Sequence, residues 1–155
     1  MDVYEKLEQL GLKIGAPIAK GGVFSVVRFF GENLAYVSGT GPNPCERSDW
    51  VGRLGADYML EEGQKAARAA AMNMVTNLHY ELGDLNRIKS FVKLLVFVNS
   101  SPDFYEQPLV ANGASQLLCD IFGEDVGLAA RSAIGSNVLP GNITVEIEVL
   151  IELKS

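Results

Sequence analysis

Small and apolar residues recur every three or four positions along residues 60–82, which is the spacing of one face of an α-helix. Gly83 follows the last of them, and glycine commonly receives the C-terminus of a helix. The pattern predicts one long helix whose alanines allow it to pack closely on a sheet. Its stripe consists of Ala67, Ala70, Ala71, Met74, Val75, Leu78 and Leu82.

Two shorter segments also have helical signals. Residues 2–10 hold three apolar residues at helical spacing, and Gly11 follows them. Residues 109–122 lie between Pro108 and Gly123, which are residue types that often stand near the start and just past the end of a helix. We expect both segments to be helices.

Three segments upstream of residue 100 have the composition of β-strands. Residues 23–30 and 34–38 are rich in β-branched and aromatic residues, and the three residues between them have the length of a hairpin turn. Residues 88–98 are mostly apolar. We predict a β-hairpin and, after the long helix, a third strand. Residues 39–58, which include Trp50, read as a long functional or interface loop.

Alternation between apolar and polar residues is strictest along residues 143–149. A period of two sends Thr144, Glu146 and Glu148 to one face of a strand. Upstream, small residues at alternate positions follow Arg131 on a second short strand, so its guanidinium has little bulk beside it. Because Pro-Gly-Asn separates the two strands, we predict that they pair antiparallel and bring Arg131 and Glu146 together. Such a pair would form a carboxylate-binding pocket.

The predicted elements run in the order αββαβαββ. This order indicates an α+β domain in which two helices cover one face of a mixed β-sheet. A chain of 155 residues, 48% of them hydrophobic, has the size of a single domain, which is expected to span residues 1–155. Apolar side chains on both sides of the strands leave one face in need of a cover, so we expect a homo-oligomer. These side chains are Phe24, Val26, Phe29, Leu94, Val96 and Leu150.

The formal net charge of -6 works against nonspecific attraction to nucleic acid or to an anionic membrane. No apolar run approaches the roughly 20 residues that span a bilayer. Neither nucleic acid nor a membrane is therefore an expected partner. Cys45 and Cys119 lack the spacing of metal ligands and are predicted to be free thiols in a reducing compartment, so we expect a cytoplasmic protein.

The chain offers no cluster of metal-binding residues. His79 is its single histidine and is expected on the surface of the long helix. The acidic residues near the start of that helix have no histidine or cysteine beside them. We therefore expect neither a metal nor another cofactor. The serine and glycines at residues 38–41 lack the longer glycine pattern and the following lysine of a phosphate-binding loop.

Several motifs together resemble the reactive intermediate deaminase family, also called the YjgF or L-PSP family. The segments ARSAIG, LP and VEIE near the C-terminus show the resemblance, and YVSGTGP and QPLVANGASQLLCDIFGED extend it upstream. It covers most of residues 35–153 and is greatest to a YjgF-like, chorismate-mutase-like branch that is labelled endoribonuclease. The resemblance implies a chorismate-mutase-like (YjgF-type) fold and a homotrimer with pockets in the clefts between subunits.

The resemblance also implies roles for particular residues. Arg131 matches the arginine that contacts the substrate carboxylate, and Glu146 matches the acid that holds a water molecule. Ser38 and Gly39 match a serine-glycine element at which a side chain or a backbone amide contacts the ligand. Asn112 belongs to a segment typical of the branch and is expected to line the cleft.

Taken alone, the residues leave other interpretations open. Instead of binding a ligand, Arg131 could form a salt bridge to Glu146 or Glu148, or it could be an ordinary surface arginine. The element at residues 38–39 could be a tight turn, and Asn112 could cap or bend the start of a helix. Glu148 is expected to form an ion pair at a subunit interface or to be exposed on its strand.

Two positions depart from the pattern of the best-characterised deaminases. Phe24 stands where those members have a tyrosine, so it can pack against a ligand but offers no hydroxyl group. Ala133 stands where they have a cysteine, which excludes thiol chemistry there. The arginine and the glutamate remain, so hydrolysis by a bound water is still expected.

The resemblance implies hydrolysis of reactive enamines or imines, derived from amino acids and bearing a carboxylate, to ketoacids and ammonia. The alternative is a noncatalytic trimeric module that binds small carboxylates or regulates a partner. An endoribonuclease is a third interpretation. It is disfavoured by the acidic composition, by the absence of alternating basic and aromatic residues, and by the single histidine.

Overall fold

The computed structural model of the chain describes residues 2–43 and 49–155. Its elements follow the predicted order αββαβαββ, with one four-residue helix added before the last two strands. Two 3-10 turns, Leu85–Arg87 and Pro140–Asn142, lie in connections. The helices and strands are α1 (Val3–Gln9), β1 (Val27–Phe30), β2 (Leu34–Thr40), α2 (Leu60–Leu82), β3 (Ile88–Asn99), α3 (Gln107–Phe122), α4 (Glu124–Gly127), β4 (Ala130–Ser136) and β5 (Val145–Leu153).

The five strands form one mixed sheet in the order β1-β2-β5-β3-β4. Strand β4 runs parallel to β3, and every other neighbouring pair is antiparallel. Helices α2 and α3 pack against each other and cover one face of the sheet, α2 over β2 and β5 and α3 over β3 and β4. The predicted α+β architecture is therefore confirmed.

The predicted antiparallel pairing of the last two strands is wrong. Strand β5 lies between β2 and β3, whereas β4 stands at the sheet edge beside β3 alone. Residues 137–144 connect β4 to β5 and are more numerous than the roughly two to five residues of a usual hairpin loop. They take the chain past the end of β3, where Asn99 Nδ2 donates to Asn142 Oδ1 and to the carbonyl oxygens of Gly52 and Ile143.

Most element boundaries agree with the sequence patterns, and the differences have physical causes. The long helix spans Leu60–Leu82 as predicted. Helix α3 begins two residues earlier than predicted because Pro108 fits into its first turn, where a missing N–H costs no intrahelical hydrogen bond. Strand β1 begins at Val27 instead of residue 23, and Val23 is fully exposed.

The face of the sheet beneath the helices holds the core. Every odd-numbered residue of β5 is buried and every even-numbered residue is half-buried, as the alternation predicted. Helix α2 contributes its alanine stripe, together with the fully buried Met74, Val75 and Leu78. Close packing of small residues here explains why the long helix can lie so near the strands.

The opposite face, which we call the open face, is defined by Tyr36, Lys93, Glu146, Glu148 and their strand neighbours. The Tyr36 hydroxyl donates to Glu148 Oε1 at 2.8 Å. Lys93 Nζ donates to the hydroxyl of Ser132 on β4 at 2.7 Å. The open face also presents the apolar side chains of Leu95, Phe97, Ile134 and Leu150, none of which is fully buried. Among the described helices, none combines the length and the apolar character needed to cross a membrane.

Candidate functional site

The residues predicted for the site lie on two faces of the sheet. Arg131 stands on β4 opposite Leu94 of β3, whereas Glu146 stands on β5 opposite Phe97 of β3. These rows are three residues apart along β3, and since side chains alternate between faces, an odd separation puts them on opposite sides. Leu94 is buried beneath the helices, so Arg131 faces the helices and Glu146 belongs to the open face. The predicted meeting of Arg131 and Glu146 within one chain is therefore wrong.

Arg131 is held in place by three neutral acceptors from α3. Its Nη1 donates to Asn112 Oδ1 at 2.9 Å and to Ser115 Oγ at 3.0 Å, and its Nη2 donates to the carbonyl oxygen of Pro108 at 3.1 Å. The alternative of an ion pair with a β5 glutamate is wrong, because no carboxylate of the described residues pairs with this guanidinium. A guanidinium oriented by neutral groups retains its charge for an anionic ligand.

The Arg131 guanidinium lines a cavity of about 980 Å³ on the helix side of the molecule. Helix α3 packs against both α2 and β4. The residues of α3 that line the cavity therefore lie between those of α2 and those near β4. The lining residues from α3 include Asn112, Gly113 and Ser115, and those from α2 include Lys65.

The small residues after Arg131 do not all leave room for a ligand. Arg131, Ala133 and Gly135 share one side of β4, as predicted. However, a methyl group at Gly135 would lie 2.9 Å from Ser100 Oγ and 3.0 Å from Gln107 Nε2. The space beside Gly135 is therefore filled by the protein's own side chains, and only the neighbourhood of Arg131 itself opens into the cavity.

Glu146 rests against Gly39 of the neighbouring strand. A methyl group at Gly39 would lie 2.5 Å from Glu146 Oε1 and 2.8 Å from Glu146 Cδ, so the carboxyl group occupies space that any larger residue would fill. Gly39 lies within β2, at an irregularity between Val37 and Thr40, and not in a tight turn. Burial, together with repulsion from Glu148, raises the pKa of Glu146 above its usual value. A carboxyl group whose pKa is raised in this way is a stronger base than an exposed glutamate, which suits it to accept and return a proton.

Glu148 is tied to the protein in a way that Glu146 is not. The hydrogen bond from Tyr36 to Glu148, together with burial, raises the pKa of the Tyr36 hydroxyl. No hydrogen bond or ion pair to the Glu146 carboxyl group occurs within the described ranges. The two glutamates share a face as predicted, but only Glu146 presents an uncommitted carboxyl group.

Ser38 and Gly39 line a second, smaller cavity of about 120 Å³ together with Phe24. Ser38 Oγ donates to the carbonyl oxygen of Ser25 at 2.6 Å, which fixes the segment of Phe24 beside β2. The Phe24 side chain is 43% exposed and is thus able to contact a ligand. The predicted residues form two groups: the glutamate half-site, which is Phe24, Ser38, Gly39 and Glu146, and the arginine half-site, which is Asn112 and Arg131.

Other candidate groups are poorly suited to chemistry. No cluster of histidine, cysteine, aspartate and glutamate that could hold a metal ion occurs within residues 2–43 and 49–155. Burial and the nearby Glu124 and Asp120 raise the pKa of the free Cys119 thiol, which keeps it protonated and weakly nucleophilic. His79 is half-buried and its Nδ1 lies 3.0 Å from the Tyr4 hydroxyl. Cys45 lies outside the described residues.

Sequence reasoning missed three groups that shape these half-sites. Ser115 lies three residues after Asn112, so helical spacing would have placed both on the face toward Arg131. Tyr36 approaches Glu148 because β2 pairs with β5, and the sequence pattern of β2 alone does not signal that pairing. The carbonyl oxygen of Pro108 leaves no signal in the sequence. Asn112 lies inside α3, so the alternative that it caps the helix start is wrong.

The chain belongs to the family described as "YjgF/chorismate_mutase-like, putative endoribonuclease", whose model matches residues 5–153. This match confirms the resemblance that the motifs indicated. The match also confirms the YjgF-type fold that the motifs implied, which the structure shows as a five-stranded sheet covered on one face by α2 and α3.

Individual relatives agree with this assignment. Protein TCP17 of Trypanosoma cruzi is 44% identical over 153 residues, which cover 99% of this chain and 95% of that protein. The structure of protein Atu1372 from Agrobacterium tumefaciens is 36% identical with a TM-score of 0.88, covering 98% of this chain and 92% of the other. The structure of a "putative endoribonuclease" from Shewanella oneidensis MR-1 is 31% identical in sequence with a TM-score of 0.92. The match covers 99% of this chain and 100% of the other.

Proposed function

We propose that the protein hydrolyses reactive imines and enamines derived from amino acids, releasing a ketoacid and ammonia. The observation that supports this most is the state of Arg131, which faces the larger cavity, is fixed by three neutral acceptors and has no carboxylate partner among residues 2–43 and 49–155. A planar guanidinium in that state binds a carboxylate in a defined orientation. The substrate class is the one implied by the resemblance of the motifs around Arg131 and Glu146 to those of the reactive intermediate deaminases.

Glu146 would supply the proton chemistry. Its raised pKa lets it take a proton from a bound water as the water oxygen attacks the carbon of the C=N bond. The proton passes to the substrate nitrogen, and the tetrahedral intermediate then expels ammonia as the C=O bond forms. The balance is one imine and one water consumed, and one ketoacid and one ammonia released.

The two half-sites face away from each other in one chain, so the proposed site needs a second copy. In a homo-oligomer, the arginine half-site of one protomer would meet the glutamate half-site of its neighbour. Two features support this arrangement: the open face presents partly exposed apolar residues such as Phe97 and Ile134, and β4 leaves one edge of the sheet unpaired. Exposed features of this kind are commonly covered by a partner in symmetric oligomers.

Two observations favour a second candidate, a noncatalytic module that binds small carboxylates. Phe24 offers no hydroxyl group at the glutamate half-site, and Ala133 offers no thiol on the strand of Arg131. Neither change affects how the guanidinium is held. Binding would therefore survive in this candidate although turnover would not.

The decisive experiment follows ketoacid and ammonia release from imines generated freshly by an amino-acid oxidase. Arg131→Ala should raise KM by more than about tenfold, because it removes the carboxylate anchor. Glu146→Gln should lower kcat by about 100-fold or more, because amide groups do not transfer protons in this way. Glu152→Gln makes the same change on the same strand face and should retain wild-type rates.

Other outcomes of these experiments would assign a different function to the protein. If no imine of a varied panel reacts faster than it hydrolyses spontaneously, while small carboxylates still bind through Arg131, the module is the better assignment. Salt-dependent RNA binding that Arg131→Ala leaves intact would instead favour the endoribonuclease label of the family.

A further inference from the structure

The α2 side of the larger cavity presents a second cationic group to the ligand. Lys65 lies in the first third of α2 and lines the same cavity as Arg131. Within the described ranges, Lys65 forms no ion pair or hydrogen bond, although Glu61 stands one helical turn before it and lines the cavity too. Its ammonium group is therefore not neutralised by direct contact.

Arg68, one turn further along α2, is in a different state. Its Nη1 lies 3.1 Å from Asp120 Oδ2, and Gln116 Nε2 donates to the other oxygen of that carboxylate at 2.9 Å. Because Asp120 already neutralises the Arg68 guanidinium, Arg68 attracts a ligand carboxylate only weakly. Of the cations that line the cavity, Lys65 and Arg131 have no carboxylate partner in the part of the chain that the structure describes, in a protein whose net charge is -6.

We propose that the cavity binds a ligand with two carboxylates, one held by Arg131 and the other by Lys65. This inference rests on the proposed function, which supplies an amino-acid-derived ligand with one carboxylate at the reacting end. It narrows the substrates to imines of acidic amino acids. Both cations line one cavity of about 980 Å³, which is large enough to hold a ligand chain that carries a carboxylate at each end.

The contrast with Arg68 explains why Lys65 is the selective group. A ligand carboxylate that approached Arg68 would compete with Asp120 and be repelled by it. A carboxylate that reaches Lys65 gains a charge-assisted hydrogen bond without displacing a protein partner. The second carboxylate should therefore improve affinity through Lys65 and leave the Arg68 pair unchanged.

The test measures binding of two stable ketoacids by calorimetry, so that it does not depend on turnover. 2-Oxoglutarate and 2-oxopentanoate share the same carbon chain, and only the first has a distal carboxylate. Wild-type protein should bind 2-oxoglutarate about fivefold more tightly, as expected for one partly exposed charge pair. Lys65→Met, which retains an unbranched helix-forming side chain, should abolish that preference.

Lys13→Met is the matched control, since it removes the same charge from outside the cavity and should leave the preference intact. Equal wild-type affinities for the two ketoacids would overturn the inference, as would a preference that survives Lys65→Met or a failure of both ketoacids to bind. Failure of the proposed function looks different: the Lys65-dependent preference would persist while no imine was turned over.

Discussion

At the scale of single residues, the most informative contact is the one between Gly39 and Glu146. Gly39 is in an extended strand, so its backbone does not require glycine for conformational reasons. It is small because the Glu146 carboxyl group occupies the position of a side chain. This close packing buries Glu146 and thereby raises its pKa. Gly39 therefore has an effect besides any backbone contact to a ligand: the space it leaves allows the Glu146 carboxyl group to be buried, which raises the pKa of Glu146.

Gly39→Ala should therefore destabilise the protein by about 1–2 kcal/mol, because the added methyl group overlaps the Glu146 side chain. The cause is tested by repeating the substitution in a Glu146→Ala background, where the overlap is gone and the cost should fall below about 0.5 kcal/mol. Urea unfolding followed by the fluorescence of Trp50, the single tryptophan, gives both values. Equal costs in the two backgrounds would contradict this account of Gly39.

The sequence identified the chemistry of the half-sites better than their geometry. Arg131 and Glu146 could be chosen because their motifs match a family and their residue types suit the reaction. The partners of Arg131 could not, because three acceptors on α3 are nonlocal contacts and one of them is a backbone carbonyl. Arg131 and Glu146 lie on opposite faces of the sheet because of the register in which their strands pair. A period-two pattern within one strand does not define that register.

At the scale of secondary-structure elements, the crossing of α2 and α3 shapes the larger cavity. Gly113 stands where the two helices touch, and a methyl group there would collide with the carbonyl oxygen of Gln64. The Gln64 side chain continues the contact by donating from Nε2 to the carbonyl oxygen of Leu109 at 3.0 Å. This contact brings α2 and α3 together beside the cavity that Arg131 lines.

Gly113→Ala should destabilise the protein by about 2 kcal/mol, even though alanine is the better helix former. The neighbouring atom is part of the Gln64 backbone, so the strain can be relieved only by moving a helix. Gly21→Ala is the control, since nothing lies within 4 Å of the added methyl group, and it should be neutral within about 0.5 kcal/mol. If urea unfolding gave Gly113→Ala the same free energy of unfolding as the wild type, the two helices would have to leave room for a methyl group at this position, which would contradict the close contact.

Elements were predictable where their signals are local, and their arrangement was not. The stripe of residues 60–82 and the alternation after residue 143 are properties of single segments, and both were confirmed. The pairing of β4 with β3 is a relation between segments about 35 residues apart, joined through α3 and α4. A turn-like Pro-Gly-Asn between β4 and β5 therefore indicated a hairpin that the sheet does not contain.

At the scale of the whole molecule, the fold separates functions that the proposed reaction must combine. The helix side holds the arginine half-site and its cavity, and the open face holds the carboxyl group of Glu146. A monomer could bind a carboxylate but could not bring Glu146 to it. Oligomerisation would therefore be a condition for catalysis as well as a way to cover apolar surface.

Mixing two impaired variants tests that condition directly, at a substrate concentration well below KM, where each variant alone should turn over imines slowly. Arg131→Ala retains Glu146 and Glu146→Gln retains Arg131, so mixed oligomers can contain intact sites only if each site spans two protomers. With random assortment, co-refolding equal amounts should restore about a quarter of wild-type imine turnover, because one in four interfaces then pairs an intact arginine with an intact glutamate. Mixing Arg131→Ala with a variant that has both substitutions is the control and should restore nothing. A wild-type protein that is monomeric by light scattering yet fully active, or a mixture that stays inactive although mixed oligomers form, would place the whole reaction within one chain and contradict the shared site.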